Sequence, residues 1–330
     1  MPRGFERRGP VVLFLGLLIL VTACDEGLVL VRRDEAIPEN AIKMTPAMDT
    51  WPPELRSTEW EEPVPMPGPV NTAGGEDSPF ITPDGEWFFF FFTPDVSVPA
   101  NLQLHDGATG IYWSRRTAKG WTEPERVVLN DDVGLDGCQF VQDDTMWFCS
   151  VRPNDALREG PEWYVTRLVN GVWSDWHNVG EQLNLDYEVG ELHISADGRT
   201  MYCGRDAEQG GEGDMDLWTL ERNADGWDPP VNMGPVVNSE RLEGWPWVSS
   251  DGNELWFTGN SPVHGPGPSL WRSVKDSTGS WGEPEEIVSR FAGEPTLDDE
   301  GNIYFTHHFY TGTTPIQMIE ADIYVCYRKK

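Results

Sequence analysis

Apolar residues in this chain come in short dense runs separated by Asp, Gly, Ser and Pro, and beyond the N-terminus no stretch shows helical spacing. The runs repeat. A tryptophan followed closely by proline or a bulky residue recurs at Trp60, Trp121, Trp173, Trp227 and Trp281, at intervals of 61, 52, 54 and 54 residues. Within each interval an acidic residue leads into an apolar run that ends in a turn and a second run: FITPDGEWFFF, FVQDDTMWFC, ISADGRTMYC, VSSDGNELWF and LDDEGNIYF. After a variable loop comes a third run with a bulky-aromatic pair: IYWSRR, WYVTR, LWTLER, LWRSV and IYVCYR. Asp-Gly between apolar runs marks a hairpin, because glycine accepts the positive φ of tight turns. Runs this short and this rich in aromatic and β-branched residues are strands, and their weak alternation predicts burial on both faces.

Four strands per unit, repeated five times, predict an all-β, five-bladed β-propeller with four-stranded antiparallel blades over residues 58–330. The last repeat ends at Lys330 without a tryptophan strand, whereas the first is preceded by an extra one, Trp60-Glu-Glu-Pro-Val-Pro. Placing that N-terminal strand on the edge of the last blade completes it and closes the ring without leaving an unpaired edge. The second repeat departs most, with Asp143-Asp144 where the others carry glycine at or near the turn.

The passages DGWDPPVNMGPVVNSERLEGWPWVSSDGNELWF and GGEGDMDLWTLERNADGW resemble the WD-like propeller repeats of TolB-type periplasmic proteins. The resemblance covers about residues 58–330. It implies the fold, and a family that mostly mediates protein or ligand contacts and includes some enzymes.

The N-terminus carries an address. Arg3, Arg7 and Arg8 precede an eleven-residue apolar run, Val11 to Val21, too short to span a bilayer. Val21-Thr22-Ala23-Cys24 then resembles the lipobox of bacterial lipoproteins. Residues 1–23 are therefore expected to be a signal peptide and Cys24 the lipidated residue, holding the protein in the bacterial envelope on the periplasmic side of the inner or outer membrane. Residues 24–57, with Pro38, Pro46, Pro52 and Pro53 and many charges, are expected as a flexible tether.

Charge narrows the partners. The chain has 24 Lys and Arg against 55 Asp and Glu, a formal charge of −31, which becomes −33 once Arg3, Arg7, Arg8 and Glu6 are removed. Such acidity argues against nucleic acid, and against contact with an anionic membrane other than through the lipid anchor. An envelope protein or a small ligand is the expected partner.

Strand direction sorts the loops. Tight turns gather at one end, and long variable loops at the other, about residues 94–110, 150–161, 204–215, 259–268 and 306–321. Function concentrates in variable loops on a rigid scaffold, so the loop end is the candidate face. With the tether entering at Trp60 among the tight turns, that face is expected to point away from the membrane. The innermost strands begin there with Glu76 and Asp77, Asp136, Glu188 and Glu191, Glu243, and Glu294, and Trp245 stands beside Glu243. These side chains converging on a channel mouth are candidates for a cation or ligand, or for the acid and base of glycoside hydrolysis. The structural alternative is that they accept hydrogen bonds from the backbone or a neighbouring blade, as the shared Glu-x-x-Pro at Glu76 and Glu243 suggests.

Other chemistry is sparse. His105, His264, His307 and His308 fall in loops and His193 on an inner strand, without repeating metal-ligand spacing. Glu212, Asp214 and Asp216 offer oxygen ligands for calcium but not EF-hand spacing, and no other cofactor is indicated. Cys138 and Cys149 flank the Asp143-Asp144 turn symmetrically, so directly opposed positions would permit a disulfide; Cys203 and Cys326 are expected as buried thiols. No nucleophile elbow, phosphate-cradling loop or dinucleotide fingerprint is present. The expected function is a membrane-anchored binding or scaffold propeller; the alternative is a glycan-processing hydrolase using the axial carboxylates.

Overall fold

The structure, a computed structural model, describes residues 29–104, 106–129, 134–152, 156–206 and 210–330. The signal peptide, Cys24 and His105 lie outside the described residues. The chain is all-β and propeller-like. Each repeat forms antiparallel strands in sequence order, as in Leu135–Gln142, Thr145–Val151, Glu162–Val169 and Val172–Asn178. The helical elements are single turns at Arg33–Ala36, Ala100–Gln103 and Gln182–Asp186.

The strands assemble into four sheets, of four, five, five and nine strands. The nine-stranded sheet is two antiparallel halves joined by one parallel pairing, Ala321 with Gly75. Its C-terminal half takes Val64–Pro65 as an edge strand, with Val64 opposite Val325 and Pro65 opposite Tyr324.

The turns follow from local chemistry. Gly85, Gly198, Gly252 and Gly301 take φ between +69° and +79°. A serine or threonine three residues before the first three of these glycines donates its hydroxyl to the turn aspartate: Thr82 to Asp84, Ser195 to Asp197 and Ser249 to Asp251. In the second repeat Asp143 itself takes φ +53° and the turn shortens, with Gln142 opposite Thr145. Aspartate tolerates this region better than most residues, which explains how the repeat survives without glycine.

Burial on both strand faces is observed: Phe88, Phe89, Phe90 and Phe92 are successive or near-successive residues of one strand and all are buried. The recurrent tryptophans pack between repeats, Trp173 edge-on to Phe89, Trp281 edge-on to Tyr202 and Trp60 edge-on to Trp256. The strands that open the repeats meet around a common axis. Phe80 contacts Phe140, Phe140 contacts His193, His193 contacts Trp247, and Ile81 N donates to Thr296 Oγ1 at 3.2 Å.

The N-terminal segment differs from expectation. Residues 31–57 are not a free tether but a strap docked on the sheets. Arg33 is buried, donates to the carbonyls of Val70 (2.6 Å) and Pro69, lies 3.5 Å from Glu76, and sits over the rings of Phe90, Phe92 and Tyr112. Lys43 Nζ binds both Glu320 and Asp322 at 2.5 Å, and Asp49 pairs with buried His307 at 2.8 Å. Glu54–Leu55 then adds to the strand Glu285–Ser289. Composition reads this segment as unstructured because the partners of Lys43 and Asp49 are 258 to 279 residues away in sequence.

The strap also corrects the expected entry point. Val31 N donates to Gly107 O within the loop at 94–110, and the chain descends to Trp60, which bridges Arg328, only after passing Glu54. The first described residues therefore lie at the long-loop end, not among the tight turns.

Candidate functional site

Four of the five opening strands carry the same irregularity. Register shifts fall between Asp77 and Phe80, Gly137 and Phe140, Gly244 and Trp247, and Gly293 and Thr296. At each bulge one residue is left-handed: Ser78 (φ +47°), Cys138 (+51°), Trp245 (+52°) and Glu294 (+58°). Bulges re-aim side chains, and non-glycine residues held at positive φ concentrate at functional sites. Here all four line one axial cavity of about 50 Å³, with Glu191 at the matching place in the third repeat. Below this tier the cavity narrows to Phe80, Phe140, His193, Trp247 and Thr296. Burial alone depresses His193 to about 3, so it is neutral.

The bulges divide the candidate acids into two groups. Glu76, Asp136 and Glu243 are buried and saturated. Glu76 accepts from Thr72 N (2.9 Å) and Oγ1 (2.5 Å), and Glu243 from Ser239 N (3.0 Å) and Oγ (2.6 Å). Asp136 accepts from Ser150 Oγ (2.6 Å) and Arg152 Nη2 (2.8 Å). These three anchor loops to strands. Asp77, Glu191 and Glu294 stay half-buried at the mouth with Trp245.

These three carboxyls are pushed apart electrostatically. Burial works against the charge of Asp77, but His308, whose Nε2 is 3.6 Å away, together with hydrogen bonds from His308, Thr306 and Glu294, holds it below the usual range. Burial first, then the charges of Asp77 and Glu191, raises Glu294 well above its ordinary value. Asp77 and Glu294 thus shift in opposite directions, each through the other's carboxyl. Burial also raises Glu191, whose Oε1 accepts a hydrogen bond from the Cys138 thiol at 3.4 Å. Carboxyls pushed in opposite directions around one opening are an arrangement that acid–base chemistry can use.

The remaining candidates are placed as follows. Cys138 and Cys149 are free thiols within hydrogen-bonding reach of each other; the residue directly opposite Cys149 is Gly137, because the bulge displaces Cys138 by one place. Their mutual hydrogen bond and burial raise the Cys138 thiol. Asp216, a calcium candidate, spends its oxygens on Glu212 N, Gly213 N and Asn232 Nδ2. Among the described residues no group of three or more His, Cys, Asp or Glu is arranged to hold a metal ion. Adjacent histidines on a strand face opposite ways: His307 turns to Asp49 and His308 to Asp77.

One feature escapes a reading of each repeat alone: His308 gains its place only from strand alternation. Asp77, already a candidate in the sequence, occupies the position held by Gly137, Gly190, Gly244 and Gly293 in the other repeats. Two of those glycines are close-packed: a Cβ on Gly244 would meet Met215 Sδ at 2.6 Å, and one on Gly190 would meet Gly204 O at 2.5 Å.

No protein-family model and no curated protein sequence matches this chain. Among solved structures it is similar to an endo-arabinase from Bacteroides thetaiotaomicron VPI-5482, at 13% identity and TM-score 0.47, over 79% of this chain and 96% of that one. An alpha-L-arabinofuranosidase from Lactobacillus brevis gives 12% identity and TM-score 0.47 over 76% and 90%. TolB from Acinetobacter baumannii gives 14% identity and TM-score 0.37 over 73% and 53%.

Proposed function

We propose that this protein is a five-bladed, ring-closed propeller that hydrolyses a glycan at its axial mouth, with Asp77 as the ionised base or nucleophile and Glu191 as the acid. What supports this reading is the gathering of three carboxyls by the bulged strands at one mouth, with Asp77 held low while Glu191 and Glu294 are pushed up. Glu191 rather than Glu294 is assigned as the acid because Asp77 and Glu294 act directly on each other's titration, whereas the two carboxyls of a glycosidase stand roughly 5 to 9.5 Å apart to admit the scissile bond. Glu294 instead positions Asp77 and keeps it charged. Trp245, half-buried between Glu191 and Glu294 in repeat order, offers a flat wall for a sugar ring. The edge strand Val64–Pro65 completes the fifth blade.

The test is a screen of the full chain against polysaccharides for release of reducing ends. Activity should fall by roughly 100-fold or more in Asp77→Asn and Glu191→Gln, the usual contribution of a general acid or base, without loss of thermal stability. Glu76→Gln should change stability and leave turnover intact. Hydrolysis unaffected by Asp77→Asn and Glu191→Gln would remove the assignment.

A second reading keeps the protein as a binding propeller. Its support is the exposure of one large apolar residue in each of four long loops: Leu102, Leu157, Val263 and Ile316. In either reading we place the protein in the envelope through a lipid on Cys24. The docked strap then brings the mouth toward the bilayer rather than away from it.

A further inference from the structure

At the tight-turn end of the axis, opposite the acid–base cluster, lies a larger cavity of about 560 Å³. This is within the range of small-ligand sites, roughly 300 to 1,000 Å³. All five repeats build its rim from their hairpin turns, through Asp84, Asp143, Ala196, Ser250 and Asp299. Its floor is Phe80, Phe140, His193 and Trp247, which it shares with the mouth cavity above.

His193 is the polar group of that floor. It is 9% exposed, and its ring packs on Phe140 at 4.7 Å and Trp247 at 5.7 Å. Neither ring nitrogen has a hydrogen-bond partner among the described residues, and burial is the one cause acting on its titration. A buried polar group without a partner costs free energy, which a ligand bearing the complementary group recovers. Because the ring is neutral, one nitrogen keeps a lone pair for a donor. The rim is acidic: Asp84, Asp143 and Asp299 are exposed, and no described lysine or arginine lines the cavity. Trp87, also at the rim, already carries a cation, the Arg115 guanidinium lying over its ring at 5.2 Å with its charge met by Glu86 at 4.0 Å.

We infer that this turn-end cavity binds an organic ammonium ion, a primary amine on a small apolar body, which donates an N–H to His193 among the rings of Phe80, Phe140 and Trp247. Aromatic rings attract a cation through their quadrupole, and more strongly where water is excluded. An acidic rim in a chain of formal charge −31 raises the local concentration of cations and repels anions. A neutral imidazole accepts the bond without the repulsion that an imidazolium would bring. An alcohol of the same shape could donate to His193 but gains nothing from the ring quadrupoles or the rim. The inference stands independently of hydrolysis at the mouth.

The experiment is calorimetric titration of the full chain with 2-phenylethylamine and with its neutral counterpart 2-phenylethanol. The amine should bind about 10-fold tighter than the alcohol. His193→Phe keeps an aromatic ring and removes the acceptor, so it should weaken the amine about 10-fold. The exposed pair Asp143→Asn and Asp299→Asn should together weaken it about 3-fold at low salt and less at high salt; this variant keeps the test informative where His193→Phe fails to fold. Asp77→Asn, at the other end of the axis, should leave amine binding unchanged. Equal affinity for amine and alcohol overturns the inference, as does absence of binding by both. Loss of amine binding in Asp77→Asn but not in His193→Phe would place the amine at the mouth and overturn it too.

Discussion

Lys43→Met tests the docked strap. Lys43 is the only cation hydrogen-bonded to Glu320 and Asp322 among the described residues, and both carboxyls are 1% exposed. Removing one partner of a buried pair commonly costs about 3 to 5 kcal/mol, because a charge is left stranded. Here neutralisation limits the loss. Burial already lifts Asp322 from 3.8 to about 7 with Lys43 in place, and lifts Glu320 as well. Protonating Asp322 at pH 8 therefore costs about one pKa unit, or ~1.4 kcal/mol. Glu320, which burial raises too, adds to that loss at pH 8.

The pH dependence carries the sharper signal. Because the folded pKa of Asp322 is raised, its favourable contribution is complete below 3.8 and declines as pH rises toward 7. In Lys43→Met that decline continues above pH 7. At pH 5 Asp322 is neutral with or without Lys43, so the variant should lose less than about 1 kcal/mol there. Urea denaturation of the full chain, followed by tryptophan fluorescence at both pH values, measures the difference. Limited proteolysis at pH 8 should show residues 31–57 cut sooner in the variant. Equal losses at pH 5 and pH 8, or no loss at pH 8, would refute the reasoning and return the segment to a tether.

The same linkage applies to Glu76, which burial raises from 4.5 to about 7. Its contribution is complete below 4.5 and lost above about 7, so Glu76→Gln should flatten the stability–pH curve by about 3 kcal/mol across that window, read from the same titrations. At the mouth, the Cys138 thiol donates to Glu191 Oε1 and so favours its charged form; Cys138→Ala should move the alkaline limb of the pH–rate profile to higher pH, and an unmoved limb would separate Glu191 from the acid role. Trp245→Ala should raise KM at least about 5-fold with a smaller change in kcat if the indole stacks on sugar, stacking of this kind being worth ~1 kcal/mol or more. Asp143→Gly, which relieves a left-handed aspartate, should stabilise the second repeat by up to about 1 kcal/mol, measurable as a raised Tm.

Much of the architecture was legible without coordinates because it is written in short-range terms. The Asp-Gly turns at Gly85, Gly198 and Gly252 need only a residue that accepts positive φ and a nearby hydroxyl, so they show in any five-residue window. The missing tryptophan strand after Cys326 and the extra one at Trp60 likewise announced that the two ends would meet, as Val64 does with Val325. The gathering of acids at one end followed from strand direction. Tertiary structure alone decided which acids face the opening. Glu76 and Asp77 are neighbours in sequence, yet the strand sends one into a cage of Thr72 and Arg33 and the other to His308 and Glu294. A bulge turns on packing around a whole repeat, and a pKa turns on charges brought in from other repeats. The strap was hidden for the same reason: a polar, proline-rich segment carries no apolar periodicity, and Lys43 becomes an anchor only where the fold sets two buried carboxyls before it.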